Sequence, residues 1–359
     1  YTISLEEGLG GAGYEINETA RRMFGEHRAA HPEAFEKPEG TFAAMVRPYD
    51  PPELVPSSEE SDRVADEADL AIVTIGRNSG EGGDRVKEDD FLLSDAEQKM
   101  LRNVCESFHS VGKKVVVVLN IGGVIETDSW KERPDAILLA WQGGQEGGNS
   151  VSDVLSGKVN PSGKLPMTFP VHLEDHASSA NFPMEGMPMD IMALIGGKEE
   201  KPEEEKIPNV DYTIYEEGIY VGYRHFDKQE LQVSYPFGYG LSYTGFVFSD
   251  MEVERRNDSV YVTVQVENTG TVAGKEVVQL YVSKPDSRID RPVRELKAFA
   301  KTPLLNSGES AGLTVRFPLS ELAYWDEELS GWNLEKGSYV LHAAASSRDI
   351  QLSKEILIP

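Results

Sequence analysis

Two hydrophobic patterns divide this chain. In the first part, uninterrupted apolar runs at 71–75, 114–119 and 136–141 alternate with segments of helical period. Such runs are typical of strands buried on both faces, and helical segments between them predict parallel strands joined by crossover connections. Residues 1–235 are therefore predicted to form an α/β sandwich domain with a mostly parallel sheet.

Helix signals support this prediction. Ser94-Asp95-Ala96-Glu97 is a capping box, and it predicts a helix that Gly112 ends. Further helices are predicted at 17–28, 58–69 and from 149 or 150 to 155. Residues 8–13 spell G-x-G-x-x-G, but charged helical residues precede them instead of a strand. These glycines are predicted to end a helix and not to bind a dinucleotide.

Beyond Phe246 the hydrophobic period changes to two. Every second residue from Val260 to Val266 is a valine, with polar or aromatic residues between. Further strands are predicted at 276–283, 295–299, 313–317, 338–345 and 350–358, separated by turn signals. About seven short strands predict an immunoglobulin-like β-sandwich over residues 236–359. This part carries no catalytic constellation and is interpreted as a supporting domain.

Charge and composition limit the classes of binding partner that are expected. The chain has 61 acidic against 35 basic residues, a formal net charge of −26. Nucleic acids and anionic membranes bind basic faces, so neither is expected as a partner, whereas a sugar or another neutral small molecule fits. The single cysteine, Cys105, lies in a helical pattern and is predicted to pack in the core. Seven histidines form no metal-binding pair, and neither metal nor cofactor is predicted.

The candidate chemistry lies in the loop from Gly76 to Phe91. Glu81 stands between Gly80 and Gly82-Gly83, directly after the first buried strand. Open α/β sheets bind ligands beyond the carboxyl ends of their strands, and flanking glycines let a tight loop expose the carboxylate. The alternative is a solvated Glu81 whose neighbours Asp84 and Arg85 pair with the scaffold. Glu146 is a rival, because it also follows a buried strand in a glycine-rich loop.

Two further segments allow two interpretations each. Residues 182–210 form an irregular insertion with four methionines between 184 and 192, which is either an exposed loop or a wall over a ligand site. The aromatic run 235–244 either packs at a domain junction or forms a sugar-binding platform.

Several motifs together resemble one enzyme family. They are Ser-Gly-Glu-Gly-Gly-Asp-Arg at 79–85, Leu-Ala-Trp-Gln-Gly-Gly-Gln-Glu-Gly-Gly-Asn-Ser at 139–150, Asn-Pro-Ser-Gly-Lys-Leu-Pro at 160–166, Tyr-Glu-Glu-Gly-Ile-Tyr-Val-Gly-Tyr-Arg at 215–224 and Pro-Phe-Gly-Tyr-Gly-Leu-Ser-Tyr at 236–243. With them, nearly the whole chain resembles the C-terminal half of a glycoside hydrolase family 3 enzyme of the β-glucosidase type. The resemblance implies an α/β sandwich followed by a fibronectin-III-like domain.

The resemblance also implies a retaining, exo-acting β-glycosidase. Glu81 would be the general acid/base, Asp84 and Arg85 would hold its loop, and Ser79 would line the pocket. The family's nucleophilic Asp lies on a (β/α)8 barrel of about 250 residues, for which this chain has no room. The chain is therefore expected to work with a barrel-bearing polypeptide or segment on β-linked glucosides or short oligosaccharides.

Alternatives to that reading are a β-xylosidase, another family 3 exo-glycosidase and a non-catalytic carbohydrate-binding or structural module. Assembly as a homo-oligomer stays open.

Overall fold

The computed structural model describes residues 1–36, 51–77, 86–179 and 215–359. The helices in these ranges are α1 (Leu5–Gly11), α2 (Glu18–Ala30), α3 (Ser58–Glu67), α4 (Asp95–Ser110), α5 (Gly147–Leu155) and α6 (Tyr223–Lys228). The strands are β1 (Leu70–Gly76), β2 (Lys114–Asn120), β3 (Ala136–Leu139), β4 (Phe169–Pro170), β5 (Val233–Tyr235), β6 (Phe246–Arg256), β7 (Ser259–Asn268), β8 (Val277–Ser283), β9 (Glu295–Lys301), β10 (Ser310–Pro318), β11 (Tyr324–Asp326), β12 (Gly331–Asn333), β13 (Gly337–Ala344) and β14 (Ile350–Ile358).

Packing divides the described residues into two compact units. The first contains the described residues from 1 to 156 together with residue 179, and the second contains residues 157–178 and 215–359. The methionine-rich insertion lies outside the described residues.

The first unit is built on a parallel sheet of β1, β2 and β3, with β2 in the middle. The apolar runs form strands, as predicted. In β1 the buried residues Ala71, Val73 and Ile75 share one face and Thr74 on the other face is exposed, so the prediction of burial on both faces is wrong for this strand. Helix α4 connects β1 to β2 and contributes Leu101, Cys105 and Phe108 to the core. Burial raises the pKa of the Cys105 thiol to about 11, so this cysteine is an inert core residue.

Residues 8–11 of the G-x-G-x-x-G segment form the end of helix α1, and its last residue, Gly13, has a left-handed conformation. Ser4 caps the helix, since its hydroxyl accepts a hydrogen bond from the Glu7 amide at 3.2 Å. The prediction that these glycines end a helix is confirmed. They also allow α1 to approach α5 closely, because a Cβ placed on Gly8 would lie 2.2 Å from the Gly148 carbonyl oxygen.

The second unit contains two antiparallel sheets, ordered β10-β7-β6 and β14-β13-β8-β9. Val260, Val262, Val264 and Val266 of β7 are all fully buried, so the period-two pattern identified the core face correctly. The predicted fold class, an α/β domain followed by an all-β sandwich, is confirmed. The elements that were missed in this unit are strand β6, the short hairpin of β11 and β12, the two-stranded pair of β4 and β5, and helix α6.

Residues 157–178 belong to the β-rich unit because polar contacts anchor them there. The Asn160 side-chain oxygen accepts hydrogen bonds from the Ser242 hydroxyl at 2.9 Å and the Tyr243 amide at 2.8 Å. Lys164 forms a largely buried ion pair with Glu276 at 2.9 Å. The Asn-Pro-Ser-Gly-Lys motif therefore attaches the segment 157–178 to the sandwich.

Candidate functional site

All four predicted site residues, Ser79, Glu81, Asp84 and Arg85, lie in the segment 78–85, outside the described residues. The structure does describe the base from which that segment leaves the sheet. Strand β1 ends at Gly76, and the Arg77 amide donates to the Asn120 carbonyl at the end of β2, at 3.1 Å. The segment therefore starts at the carboxyl edge of a parallel sheet, where α/β folds place functional groups.

Arg77 joins the two ends of this segment. Its guanidinium donates five hydrogen bonds, the full number that an arginine side chain offers. Three of them reach backbone carbonyls, those of Gly76 at 2.7 Å, Asp90 at 2.7 Å and Leu92 at 3.2 Å. The first carbonyl precedes the segment 78–85 and the other two follow it. One side chain therefore binds the backbone on both sides of the segment.

The other two donors of Arg77 bind Glu97 in a two-point ion pair, at 2.6 and 2.8 Å. The two side chains are only 8% and 4% exposed. Glu97 also closes the capping box of α4, since its carboxylate accepts from the Ser94 amide at 2.8 Å while its own amide donates to the Ser94 hydroxyl. The predicted capping box thus has a second role that its local pattern does not reveal.

The return path of the loop is a tight turn at Lys87–Phe91, in which Asp89 has a left-handed backbone with φ of 60°. Phe91 is buried at its end and accepts, through its carbonyl, a hydrogen bond of 2.7 Å from the Glu126 amide. Glu126 follows β2. The loops after β1 and β2 are therefore bound to each other as well as to the sheet.

The rival carboxylate Glu146 has a different environment. Its two carboxylate oxygens accept hydrogen bonds from the Tyr1 hydroxyl and the Asn149 amide group, each at 2.6 Å. These bonds, the one from Tyr1 first, hold the pKa of Glu146 below its ordinary value. A general acid needs a pKa near the working pH, so this environment favours the wrong protonation state for proton donation.

The loop after β3 contains an unusual backbone conformation. Trp141 has φ of 52°, which is rare for a bulky residue, and Gly144 follows with φ of 63°. The glycine-rich pattern of 143–148 predicted a tight loop, but it did not indicate that the tryptophan before it would also be left-handed.

The aromatic run 235–244 packs within the β-rich unit. Phe237 stacks on Tyr223 with ring centroids 4.8 Å apart, and Tyr235 stacks on Tyr239 at 5.1 Å. The Gly238 amide donates to the Leu165 carbonyl at 2.8 Å. These contacts support a packing role for the rings at 235, 237 and 239.

Among the residues that the structure describes, no group of three or more His, Cys, Asp or Glu side chains is placed to hold a metal ion. No helix in that part of the chain is long and apolar enough to cross a bilayer.

Comparison with known families matches both units. Residues 5–223 match the glycosyl hydrolase family 3 C-terminal domain, and residues 276–347 match a fibronectin type III-like domain. The first match covers more than half of the chain and includes the segment 78–85.

Individual relatives agree with the family models. The chain is 36% identical over 346 residues to beta-glucosidase A of Butyrivibrio fibrisolvens, covering 81% of this chain and 38% of the relative. It is 34% identical over 359 residues to a beta-glucosidase of Ruminococcus albus, covering 98% of this chain and 34% of the relative. Among solved structures, beta-glucosidase 3B of Thermotoga neapolitana, in complex with α-D-glucose, superposes with a TM-score of 0.84 at 40% identity.

The match to the Thermotoga structure covers 99% of this chain and 46% of that protein, so the chain spans less than half of each of these relatives. The family models, the relatives and the fold agree over nearly the whole sequence. The chain belongs to glycoside hydrolase family 3, of which it contains the C-terminal α/β domain and the fibronectin type III-like domain.

Proposed function

We propose that this chain supplies the general acid/base, Glu81, to a retaining β-glucosidase whose nucleophile lies on a (β/α)8 barrel in another polypeptide or segment. The observation that carries the proposal is the anchored base of the segment 78–85. The Arg77 guanidinium, at the carboxyl edge of the sheet, binds backbone carbonyls both before and after this segment. The relatives of the chain are β-glucosidases, which supports the same proposal.

The first chemical step forms a glycosyl-enzyme. A carboxylate oxygen of the barrel Asp attacks the anomeric carbon, and the bond from that carbon to the glycosidic oxygen breaks. The departing oxygen keeps the electron pair and takes the proton of Glu81, which becomes a carboxylate. In retaining enzymes the two carboxyl groups lie about 5–5.5 Å apart, close enough for direct attack.

The second step releases the sugar. Glu81, now a carboxylate, removes a proton from water as the water oxygen attacks the anomeric carbon, and the bond to the barrel Asp breaks. Glu81 is protonated again and the configuration at the anomeric carbon is retained. In this scheme Asp84 and Arg85 hold the loop and Ser79 lines the pocket. Arg85 must stay away from Glu81, because an adjacent cation would favour the ionised form and weaken the acid.

The relatives support one proposed substrate class. They are named as β-glucosidases, which favours β-linked glucosides or short oligosaccharides over β-xylosides. No cofactor takes part in the proposed chemistry, since proton transfer and carboxylate attack account for both steps.

The test uses Glu81→Gln and Glu81→Ala in the complete enzyme. Glutamine keeps the shape but cannot donate a proton, so natural glucosides with poor leaving groups should react about 10²–10⁴-fold more slowly. An activated aryl glucoside needs little protonation and should still form the glycosyl-enzyme, then stall at hydrolysis. Glu81→Ala leaves space beside the anomeric carbon, so added azide should restore turnover and yield a β-glucosyl azide.

Glu146→Gln is the matched control, because it shares the glycine-rich loop pattern. It should keep the parent enzyme's dependence on the leaving group. The assignment of Glu81 is wrong if Glu146→Gln depends more strongly on the leaving group than the parent does and Glu146→Ala shows azide rescue, while Glu81→Gln behaves like the parent. The acid/base is then Glu146.

A further inference from the structure

Arg77 occupies a position that the known motifs of this chain do not explain. It is the last described residue before the segment 78–85, and its side chain is 8% exposed. A buried arginine is costly to desolvate and is tolerated only if its donors are satisfied. All five are satisfied, three by carbonyls on both sides of the loop and two by Glu97.

We propose that Arg77, held by Glu97, is a positioning residue for the acid/base of the segment 78–85. This role rests on the proposed function. Arg77 binds the backbone on both sides of the segment 78–85, at Gly76 before it and at Asp90 and Leu92 after it. A catalytic group displaced by about 1 Å can lose about 10²-fold in rate, so the anchoring of these ends determines how well the acid reaches the glycosidic oxygen.

The geometry requires arginine. A lysine in this position offers three donors from a single nitrogen and cannot reach the Gly76, Asp90 and Leu92 carbonyls together with both oxygens of Glu97. The planar fork of arginine matches the carboxylate at two points and leaves the remaining N–H groups for the backbone.

Glu97 neutralises the positive charge of Arg77, which would otherwise oppose acid catalysis by a nearby carboxyl group. An unpaired arginine next to the loop would stabilise the ionised form of a nearby carboxyl group and lower its pKa. The Arg77–Glu97 pair is neutral overall and its two charges lie 2.6 to 2.8 Å apart. Glu97 is itself fixed at the N-terminus of α4, where the helix dipole favours a negative charge. The loop therefore gains an anchor without gaining a net positive charge.

The test compares two leaving groups in the complete enzyme. In Arg77→Lys, the kcat/KM for a β-glucoside of a weakly acidic alcohol should fall about 10²-fold. The kcat/KM for a dinitrophenyl β-glucoside should change by only a few-fold, because this parameter reports the first step and that leaving group needs little protonation. Glu97→Gln keeps the shape, removes the charge and replaces one of the two acceptor oxygens with a donor, so it should change the same ratio in the same direction. It also serves as the second variant if Arg77→Lys does not fold.

Arg348 provides the matched control in the second unit. Its guanidinium donates to Asp227 at 2.9 Å and to the carbonyls of Phe226 and Leu231, an arrangement similar to that of Arg77. Arg348→Lys should lower the melting temperature and leave the ratio of the two kcat/KM values unchanged.

Three outcomes would contradict one or both of the proposed roles. If Arg77→Lys and Glu97→Gln lower both kcat/KM values equally, as a smaller fraction of folded enzyme would, the pair is a structural anchor only and the positioning role is wrong. If Glu81→Gln shows leaving-group dependence and Arg77→Lys does not, the positioning role falls and the proposed function stands. If Glu81→Gln itself behaves like the parent enzyme, the proposed function falls and the positioning role falls with it.

Discussion

Gly8 of α1 and Gly148 at the start of α5 are in backbone contact. A Cβ on Gly8 would lie 2.2 Å from the Gly148 carbonyl oxygen, and a Cβ on Gly148 would lie 2.0 Å from the Ser4 carbonyl oxygen. Real Cβ atoms do not approach backbone so closely, so any side chain at either position requires the helices to move apart. The contact links the first residues of the chain to the loop after β3.

This contact predicts opposite effects for two alanine substitutions in one helix. Gly8→Ala should lower the free energy of unfolding by about 1–3 kcal/mol, the usual cost of overpacking. Gly10→Ala should raise it by about 0.5–1 kcal/mol, because Gly10 is exposed, has open space around its Cα and gains helix propensity. Chemical denaturation of the purified chain measures both. A Gly8→Ala variant as stable as the parent would contradict the close approach.

The 359-residue polypeptide on its own is expected to leave an aryl β-glucoside intact. The proposed nucleophile lies on a barrel that this chain does not contain, and one carboxyl group cannot perform both steps of a retaining reaction. Steady-state assays of the purified chain, with and without a barrel-bearing family 3 polypeptide, measure this. Turnover by the chain alone, verified as a single polypeptide, would contradict the proposed division of the active site.

Phe237→Ala tests the packing role of the aromatic run. The ring stacks on Tyr223 at 4.8 Å, and the Tyr223 hydroxyl is fixed by the Leu296 amide at 2.8 Å. Because Phe237 is half-buried, we expect a loss of about 2 kcal/mol in unfolding free energy, below the value for a fully buried ring. Phe299→Ala is the control, since Phe299 is 69% exposed and should cost little. A stable Phe237→Ala enzyme with altered sugar preference would instead favour a substrate platform.

His176 makes the stability of the second unit depend on pH. Burial, with a smaller contribution from the neighbouring His225, lowers its pKa below the ordinary value of 6.5, although Asp175 acts in the opposite direction. The unfolded chain therefore binds a proton at this residue before the folded protein does. This stability contribution is complete above pH 6.5 and is lost as the pH falls from 6.5 through the lowered folded pKa.

His176→Gln removes this titration. Unfolding free energies measured by urea denaturation across that pH range should show a weaker pH dependence in the variant than in the parent. His342, whose pKa burial also lowers, keeps part of the dependence in both proteins. An unchanged slope in His176→Gln would contradict the assignment.

Local patterns in the sequence determined most of the secondary structure. The apolar runs of β1 and β2, the valine alternation of β7 and the capping box at Ser94 are all signals within a few residues, and each element was predicted within a few residues of its observed bounds. The motif around Glu81 likewise identified the family. A short apolar run, an alternation of apolar and polar residues and a capping box are each recognisable within a few residues, which explains why these elements were predicted.

Strand β6 was missed because its alternation changes face midway. Phe246 and Phe248 contribute to the core before an irregularity between Ser249 and Glu252, and Met251 and Val253 contribute after it. Asp250 has a left-handed backbone within this irregularity. An extra residue in one strand moves the inward side chains from even to odd positions, so no continuous period is left to recognise.

The tertiary structure alone decided the relationships that bear on function. Arg77 and Glu97 are 20 residues apart, Tyr1 and Glu146 are 145 apart, and Asn160 binds residues more than 80 positions away. Glu81 and Glu146 have the same local glycine-rich pattern, and only the fold shows that the Tyr1 hydroxyl donates a hydrogen bond to Glu146. Hydrogen bonds and ion pairs between distant residues depend on how the chain folds back on itself, and no local period records them.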